Sequence, residues 1–363
     1  MNFFSAQFSH KKKGLLTLTS LLLSASSFAI IPEVSEEKGW AGFVAGGIGW
    51  ADITSNTVAG NKFFDLGRAP WDGTNTKANS RSKTHGIVGG QVTWTLSGRN
   101  ALFFGTSLID ELTQSGVMQL GWRKSTHSVG TFQIGILKDP APIPSRIYTD
   151  PFANNSGPRS ETDQNSAGIR LGWDRIFNTA FEVTLTALNY DIDSERSGQG
   201  YTGLGGCDAA CIALLDREGD LTQFEVGYLF KFGNNKHLLR PGVTFSDFDA
   251  DGNANDYDST VAKVTYSWHG LENYTFVSNV SFGEQDFDTV NPLAVFGGQE
   301  QDTDIFVIDA SVIYNLPFGN KNRWQLVTHA LYGEGDSDIN FYDTEATQVS
   351  ATVLYHFGNR NNL

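Results

Sequence analysis

Cysteine and methionine are nearly absent: two of each occur in 363 residues. Two cysteines are too few for a cysteine-built metal centre. Charge is also scarce, at 18% Asp, Glu, Lys and Arg, against about 25% in soluble domains. Basic residues are the scarcer sign, with Lys+Arg 26 against Asp+Glu 40. That balance excludes the basic face a nucleic-acid partner requires. Beyond the first thirty residues there is no run of eighteen apolar side chains, so no transmembrane helix is encoded. What remains is plentiful glycine, 39 residues, and 12% aromatics, spread evenly along the chain with no break in composition. The length could hold two soluble domains, but the even usage favours one large all-β unit.

Residues 1–29 have the form of a secretory leader. Lys11, Lys12 and Lys13 precede an apolar core at 15–23, and Ser27-Phe28-Ala29 supplies small residues at −3 and −1. Cleavage after Ala29 removes three lysines and no acid, taking the net charge from −14 to −17. In an oxidising compartment Cys207 and Cys211 are expected to be bonded to each other.

From Trp40 onward the pattern is period-two alternation interrupted by Asp/Asn/Gly-rich breaks. Fourteen strands are predicted, at 40–51, 86–97, 100–109, 115–124, 128–137, 166–176, 180–190, 221–232, 237–247, 259–268, 273–283, 303–315, 322–332 and 346–357. Most are longer than the five or six residues usual in a sandwich and suit a tilted strand crossing a bilayer, which needs about 9–11. The connections alternate between short and long, with one exception at 110–114. That asymmetry belongs to a barrel with tight periplasmic turns and long outer loops. Trp94, Trp122, Trp173, Phe230, Phe232, Trp268, Tyr314, Tyr355 and Phe357 end descending strands, and Trp40 and Trp324 begin ascending ones. Rings at one level mark a membrane–water interface. Predicted strands one and twelve are apolar on both faces, so their register is open by one residue.

The expected architecture is therefore an all-β transmembrane antiparallel up-and-down β-barrel of fourteen strands. Residues 1–29 are the leader, 30–39 a short periplasmic peptide, 40–357 the barrel and 358–363 a periplasmic tail. The final strand resembles the closing strand of Gram-negative outer-membrane barrels, whose aromatic end is read by the barrel assembly machinery. The stretches Gly39-Trp40-Ala41-Gly42-Phe43 and Ser55-Asn56-Thr57-Val58-Ala59-Gly60-Asn61 resemble an uncharacterised outer-membrane barrel family of marine Gram-negative bacteria, of the domain-of-unknown-function type. The strand count is similar to that of monomeric fourteen-stranded porins. The resemblance implies an outer-membrane location, lipid and lipopolysaccharide as neighbours, and a monomer rather than a trimer.

Candidate functional residues follow from the inward set: Arg123, Arg170, Lys231, Arg240, Lys263 and Arg323 against Asp174, Glu182, Glu225 and Asp309, with His329 beside them. Opposed charges facing each other across a pore create a transverse field that orients polar solutes. The bland alternative is that they pair and fill the barrel. Leu188, Val261 and Val327 also point inward. Fourteen strands lie between a filled eight-stranded barrel and an open sixteen-stranded one, so a modest aqueous pore is expected. The peptide ahead of the first strand is too short for a plug domain.

The outer loops are acidic. Asp247, Asp249, Asp251, Asn253 and Asp258, with Gly252 at position six, have the spacing of a twelve-residue calcium loop. The same residues are ordinary turn formers, and that is the preferred reading; calcium is otherwise the ion they would take, and no other cofactor is implied. The Cys207–Cys211 loop (191–220) and the apolar stretch 291–298 are candidates for folding into the barrel. Asp309, His329 and Ser350 fall on adjacent strands with the residue types of a hydrolytic triad, but they sit mid-strand and inside, so no enzyme is expected. The function implied is a porin-like channel for small hydrophilic solutes. The alternative is a non-channel surface barrel serving adhesion, phage attachment or envelope integrity, with an outer-membrane hydrolase more remote.

Overall fold

A computed structural model describes residues 31–61, 65–106, 117–138, 145–154, 157–317 and 323–358. The leader (1–29), the 110–114 connection and all of the tail beyond Gly358 lie outside the described residues. Seventeen strands occur in chain order: β1 (Gly39–Thr54), β2 (Val58–Asn61), β3 (Arg81–Ser97), β4 (Asn100–Gly105), β5 (Met118–Thr126), β6 (Gly130–Lys138), β7 (Ser145–Tyr148), β8 (Glu161–Asp174) and β9 (Phe181–Ile192). They continue with β10 (Gly219–Tyr228), β11 (Phe230–Phe232), β12 (His237–Ala250), β13 (Tyr257–Leu271), β14 (Tyr274–Phe287), β15 (Thr303–Asn315), β16 (Trp324–Ser337) and β17 (Thr344–Gly358).

All pairings are antiparallel, and β1 pairs with β3 on one side and β17 on the other, which closes the sheet. Strands β10 and β11 form one stave against β12. The short strands β2 and β7 add to the outer end of β8. The wall therefore has fourteen staves, as the alternation predicts. Closure leaves no open edge, which a lipid-embedded sheet cannot tolerate. The two-residue connection Gly98-Arg99 has φ of 56° and 59°, the left-handed pair that a tight hairpin needs to match strand twist.

The staves run further outward than predicted. Strand β8 starts five residues earlier, at Glu161, and β16 ends at Ser337. The sequence there is Asp-rich and reads as turn, yet pairing continues because these ends stand in water. The carboxylates face one another across successive ladders: Asp220 opposite Asp249, Asp247 opposite Asp258, Asp258 opposite Asp286, Glu284 opposite Asp304, Asp304 opposite Asp336 and Glu334 opposite Glu345. Like charges in direct opposition destabilise a sheet and are bearable only where water and salt screen them.

Below this acidic belt the outward face is apolar, with Phe245, Phe282, Ile136, Ile169 and Val349 exposed. At the opposite end a girdle of ring pairs bridges neighbouring staves. Trp40 stacks on Trp94 at 5.1 Å, Phe132 on Trp173 at 5.0 Å, Tyr274 on Tyr314 at 4.6 Å, and Trp324 lies 4.6 Å from Tyr355. From Phe276 in the girdle to Glu284 in the belt, eight residues of tilted strand span roughly 20 Å, close to the apolar band of about 25 Å on such barrels.

The two ambiguous registers resolve. In β1, Val44, Ile48 and Trp50 face out while Phe43, Ala45, Ala51 and Ile53 are buried inside. In β15, Ile308 is exposed and Ile305 and Val307 are buried. The inner faces are apolar there because Val58 and Leu66, from the segment after β1, pack against them. The N-terminal peptide is also not a free extension: Ile31 and Val34 are buried.

Replacing outward Ile136 by Arg should destabilise the barrel by about 2–4 kcal/mol, the cost of a cation near mid-bilayer. Asp286→Arg should cost far less, being above the lipid. Urea titrations in lipid vesicles check both; equal effects would misplace the membrane boundary.

Candidate functional site: the lumen and its outer cap

The inward charges are paired along one wall rather than across an open pore. Arg240 on β12 is 2% exposed and bridges Glu182 on β9 and Glu225 on β10, the latter at 2.6 Å. Lys263 on β13 is buried and interacts electrostatically with Glu225 and Asp309. Asp309 on β15 accepts from Asn279 Nδ2 at 2.7 Å and lies 3.7 Å from His329 Nε2 on β16. Asn279 in turn accepts from Thr265 Oγ1. A continuous polar belt thus crosses the inner face from β9 to β16. The expected transverse field is replaced by a chain of neighbours, because consecutive staves place inward residues close enough to pair directly.

The remaining members sit elsewhere. Arg123 lies 4.7 Å over the Phe103 ring and donates to Gln133 Oε1 at 2.8 and 3.0 Å. Arg170 donates to Thr186 Oγ1. Asp174 pairs with Arg175 at 2.9 Å, near the periplasmic end. Lys231 is exposed on the end strand β11, and Arg323 precedes β16 and donates to the Gly358 carbonyl. These last two belong to the periplasmic rim, not to the inner lumen. Leu188, Val261 and Val327 are buried inside as predicted.

The outer mouth is covered. Trp71, Phe152, Tyr201, Leu215, Ala254, Leu293, Phe296, Ile339, Phe341 and Tyr342 form one buried cluster drawn from six different loops. Trp71 is central, with ring centroids at 5.0 Å to Phe341, 6.1 Å to Tyr201 and 6.3 Å to both Phe152 and Phe296. The two loops expected to fold inward supply Tyr201, Leu215, Leu293 and Phe296. Residues 55–59 and 69–76 were not foreseen as part of the cap and contribute hydrogen bonds to it. Asn56 donates to the carbonyls of Phe341 and Thr76. Arg159 donates to the carbonyls of Asn56, Ala69 and Pro151 at 2.7–2.9 Å and stacks over Tyr148 at 4.0 Å. Burial pulls its guanidinium down to about 10, so it remains charged at neutral pH. The Ser55-Asn56-Thr57-Val58-Ala59 stretch is buried throughout. The only hint in the sequence was Val58-Ala59 among loop residues.

Cys207 and Cys211 are bonded, flanking the start of a short helix, α1 (Ala209–Leu214), whose N-cap Asp208 accepts from the Cys211 amide. Both sulfurs' residues pack against the aromatic cluster.

The twelve-residue acidic stretch does not form a single ion-wrapping loop. Asp247 and Asp249 continue β12, Asp258 belongs to β13, and Asp247 lies opposite Asp258 in the ladder. Only 251–256 connect the strands. Gly252 is required for packing: a Cβ there would lie 2.4 Å from the Asp216 amide. Asp251 instead joins Asp216 and Glu218, with carboxylate oxygens within 4.8 Å of one another. Glu218 and Asp251 border a depression of about 270 Å³ that also includes Asp191, Asp220 and Asp249. Asn253 is exposed in the turn. As for the triad residue types, Ser350 is opposite His329 in the ladder, but neither ring nitrogen of His329 has a hydrogen-bond partner.

Arg240→Met should destabilise the barrel by about 3–5 kcal/mol, because Glu182 and Glu225 lose their shared partner in a buried setting. Adding Glu182→Gln and Glu225→Gln should recover most of the loss; urea unfolding in vesicles reads both. A second outcome concerns pH. Burial raises Glu218 and Asp256 above the usual carboxylate range, and neighbouring acids add to it. Such groups hold a proton more readily when folded, so they weaken the cap once ionised and cease to do so below the carboxylate range. Amide protection factors in the outer loops, taken relative to the intrinsic exchange rate at each pH, should therefore rise as pH falls from 7 through the carboxylate range; unchanged factors would refute it.

A family profile described as "Protein of unknown function (DUF2860)" matches residues 39–356. No curated protein matches. Among solved structures, the chain is similar to the outer-membrane OmpT of Vibrio cholerae (11% identity, TM-score 0.41, covering 90% of this chain and 100% of that one). It is similar also to a FadL homologue of Pseudomonas aeruginosa (10%, 0.41, 88% and 90%) and to a mutant of TodX, a monoaromatic hydrocarbon channel (11%, 0.43, 95% and 96%). All three TM-scores lie below 0.5, so no property of these proteins is carried over to this chain.

Proposed function

The chain belongs to the DUF2860 family, and we propose that it is an outer-membrane diffusion channel for small hydrophilic solutes, held closed at rest by its loop cap. The observation that carries this reading is the buried polar belt of Glu182, Glu225, Arg240, Lys263, Asp309 and His329 inside the barrel. Taking charges out of water is costly, and apolar packing of similar volume often serves stability as well or better. A conduit needs a polar inner wall, and the belt supplies one from β9 to β16. The acidic outer belt favours cations near the mouth.

The second reading is a non-channel surface barrel. It is favoured by the aromatic cap, which draws on six loops. The two readings separate in planar bilayers. The wild-type barrel should show small, infrequent conductance steps. Trp71→Ala should weaken the cap by about 3–5 kcal/mol and make the openings larger and more frequent. Silence from both folded proteins would favour the surface barrel. Hydrolysis forms no part of the proposal, since a triad needs its histidine hydrogen-bonded on both sides. No calcium requirement is proposed either.

A further inference from the structure

The peptide ahead of β1 is seated inside the periplasmic mouth. Ile31 lies against the inner face of β8, where Gly172 provides the space: a Cβ at position 172 would be 2.7 Å from Ile31 Cδ1. Leu171 on the same stave is exposed to the outside, so Gly172 faces the lumen. The Ile31 carbonyl accepts from Arg175 Nη2 at 3.2 Å, and the same nitrogen donates to Thr131 Oγ1. Three residues on, the Val34 amide donates to Ser125 Oγ at 2.7 Å, a buried contact. Ser125 is itself hydrogen-bonded to Thr131, across β5 and β6. Glu33 and Glu36 then clasp Arg99 in the β3–β4 turn at 2.8 and 3.0 Å, and Glu36 is 3.6 Å from His127.

The peptide thus crosses the inner rim from β8 back to β1. Its apolar residues point into the barrel and its acids stay exposed. Exposed ion pairs of the Glu33–Arg99 kind are worth little, about 0–1 kcal/mol each, so the grip rests on two buried side chains, one buried hydrogen bond and one partly buried one.

We propose that residues 31–38 are a displaceable strap that narrows the periplasmic mouth, with Gly172 as the socket for Ile31. The narrowing role rests on the channel reading; the seating does not. The test is a cysteine pair, Ile31→Cys with Gly172→Cys, in the full-length protein exported to an oxidising compartment. A cross-link should form in most of the folded, heat-modifiable protein, read by mobility with and without reductant. In planar bilayers the cross-linked barrel should give smaller steps than after reduction, while the parent, with Cys207–Cys211 alone, should not respond to reductant in this way. Gly172→Leu, which fills the socket, should match the released state without reductant. Absence of the cross-link in folded protein would overturn the seating. Equal conductance of locked and released barrels would overturn the narrowing role. Silence in both states would remove the channel reading and the narrowing with it, while the cross-link yield would still decide the seating.

Discussion

The structure depends on one constraint: a backbone amide or carbonyl in hydrocarbon must find its partner within the protein, because lipid offers none. A sheet meets that demand only by closing. The β1–β17 ladder, running from Ala41 opposite Gly358 to Thr54 opposite Glu345, is where the chain's two ends satisfy it. The ring so formed has an inside and an outside along every stave, and the period-two pattern distributes the sequence between them. The acidic belt lies beyond the reach of this constraint. Pairing continues there although water could satisfy the backbone, and water and salt make the opposed carboxylates tolerable.

The wall was legible in the sequence for this reason. Alternation such as Ala262, Val264, Tyr266 and Trp268 against Lys263, Thr265 and Ser267 records an apolar outside and a polar inside on two sides of one strand, and local sequence is enough to read it. The rule weakened in β1 and β15, where the inner face meets protein instead of water. Ile53, Ile305 and Val307 are apolar because Val58 and Leu66 return to cover them, and no local pattern announces a partner from another segment. The Asp-rich strand ends failed for the opposite reason: turn composition and a water-exposed ladder draw on the same residues.

The cap was largely illegible. Its aromatics stand one or two to a loop, from Trp71 to Tyr342, and in most of these loops the flanking sequence shows no strand or helix period. Only convergence of the loops over one mouth turns them into a core, and convergence is a property of the closed ring. In retrospect the signal was the recurrence of a large apolar residue in successive outer loops. The calcium spacing between Asp247 and Asp258 shows the reverse error. A linear motif assumes a free loop, and here the ladder had already claimed both ends of it. The Ser55-Asn56-Thr57-Val58-Ala59 stretch, which carried the family resemblance, proves to be the buried hub that ties Arg159 and Phe341 together.

The two ends of the barrel are closed by different physics, and this bears on how each could open. The outer cover is a sealed aromatic core fastened by Arg159, whose donors hold three carbonyls from three segments; disrupting it exposes large apolar area and strands a buried cation. The periplasmic strap buries two aliphatic side chains, Ile31 and Val34, so its release exposes little and strands nothing charged. Between them lies a belt whose charges already satisfy one another, so that opening either end requires no rearrangement of the lumen itself. On the channel reading proposed above, resistance to passage is therefore concentrated at the mouths, with the outer one the more costly to move.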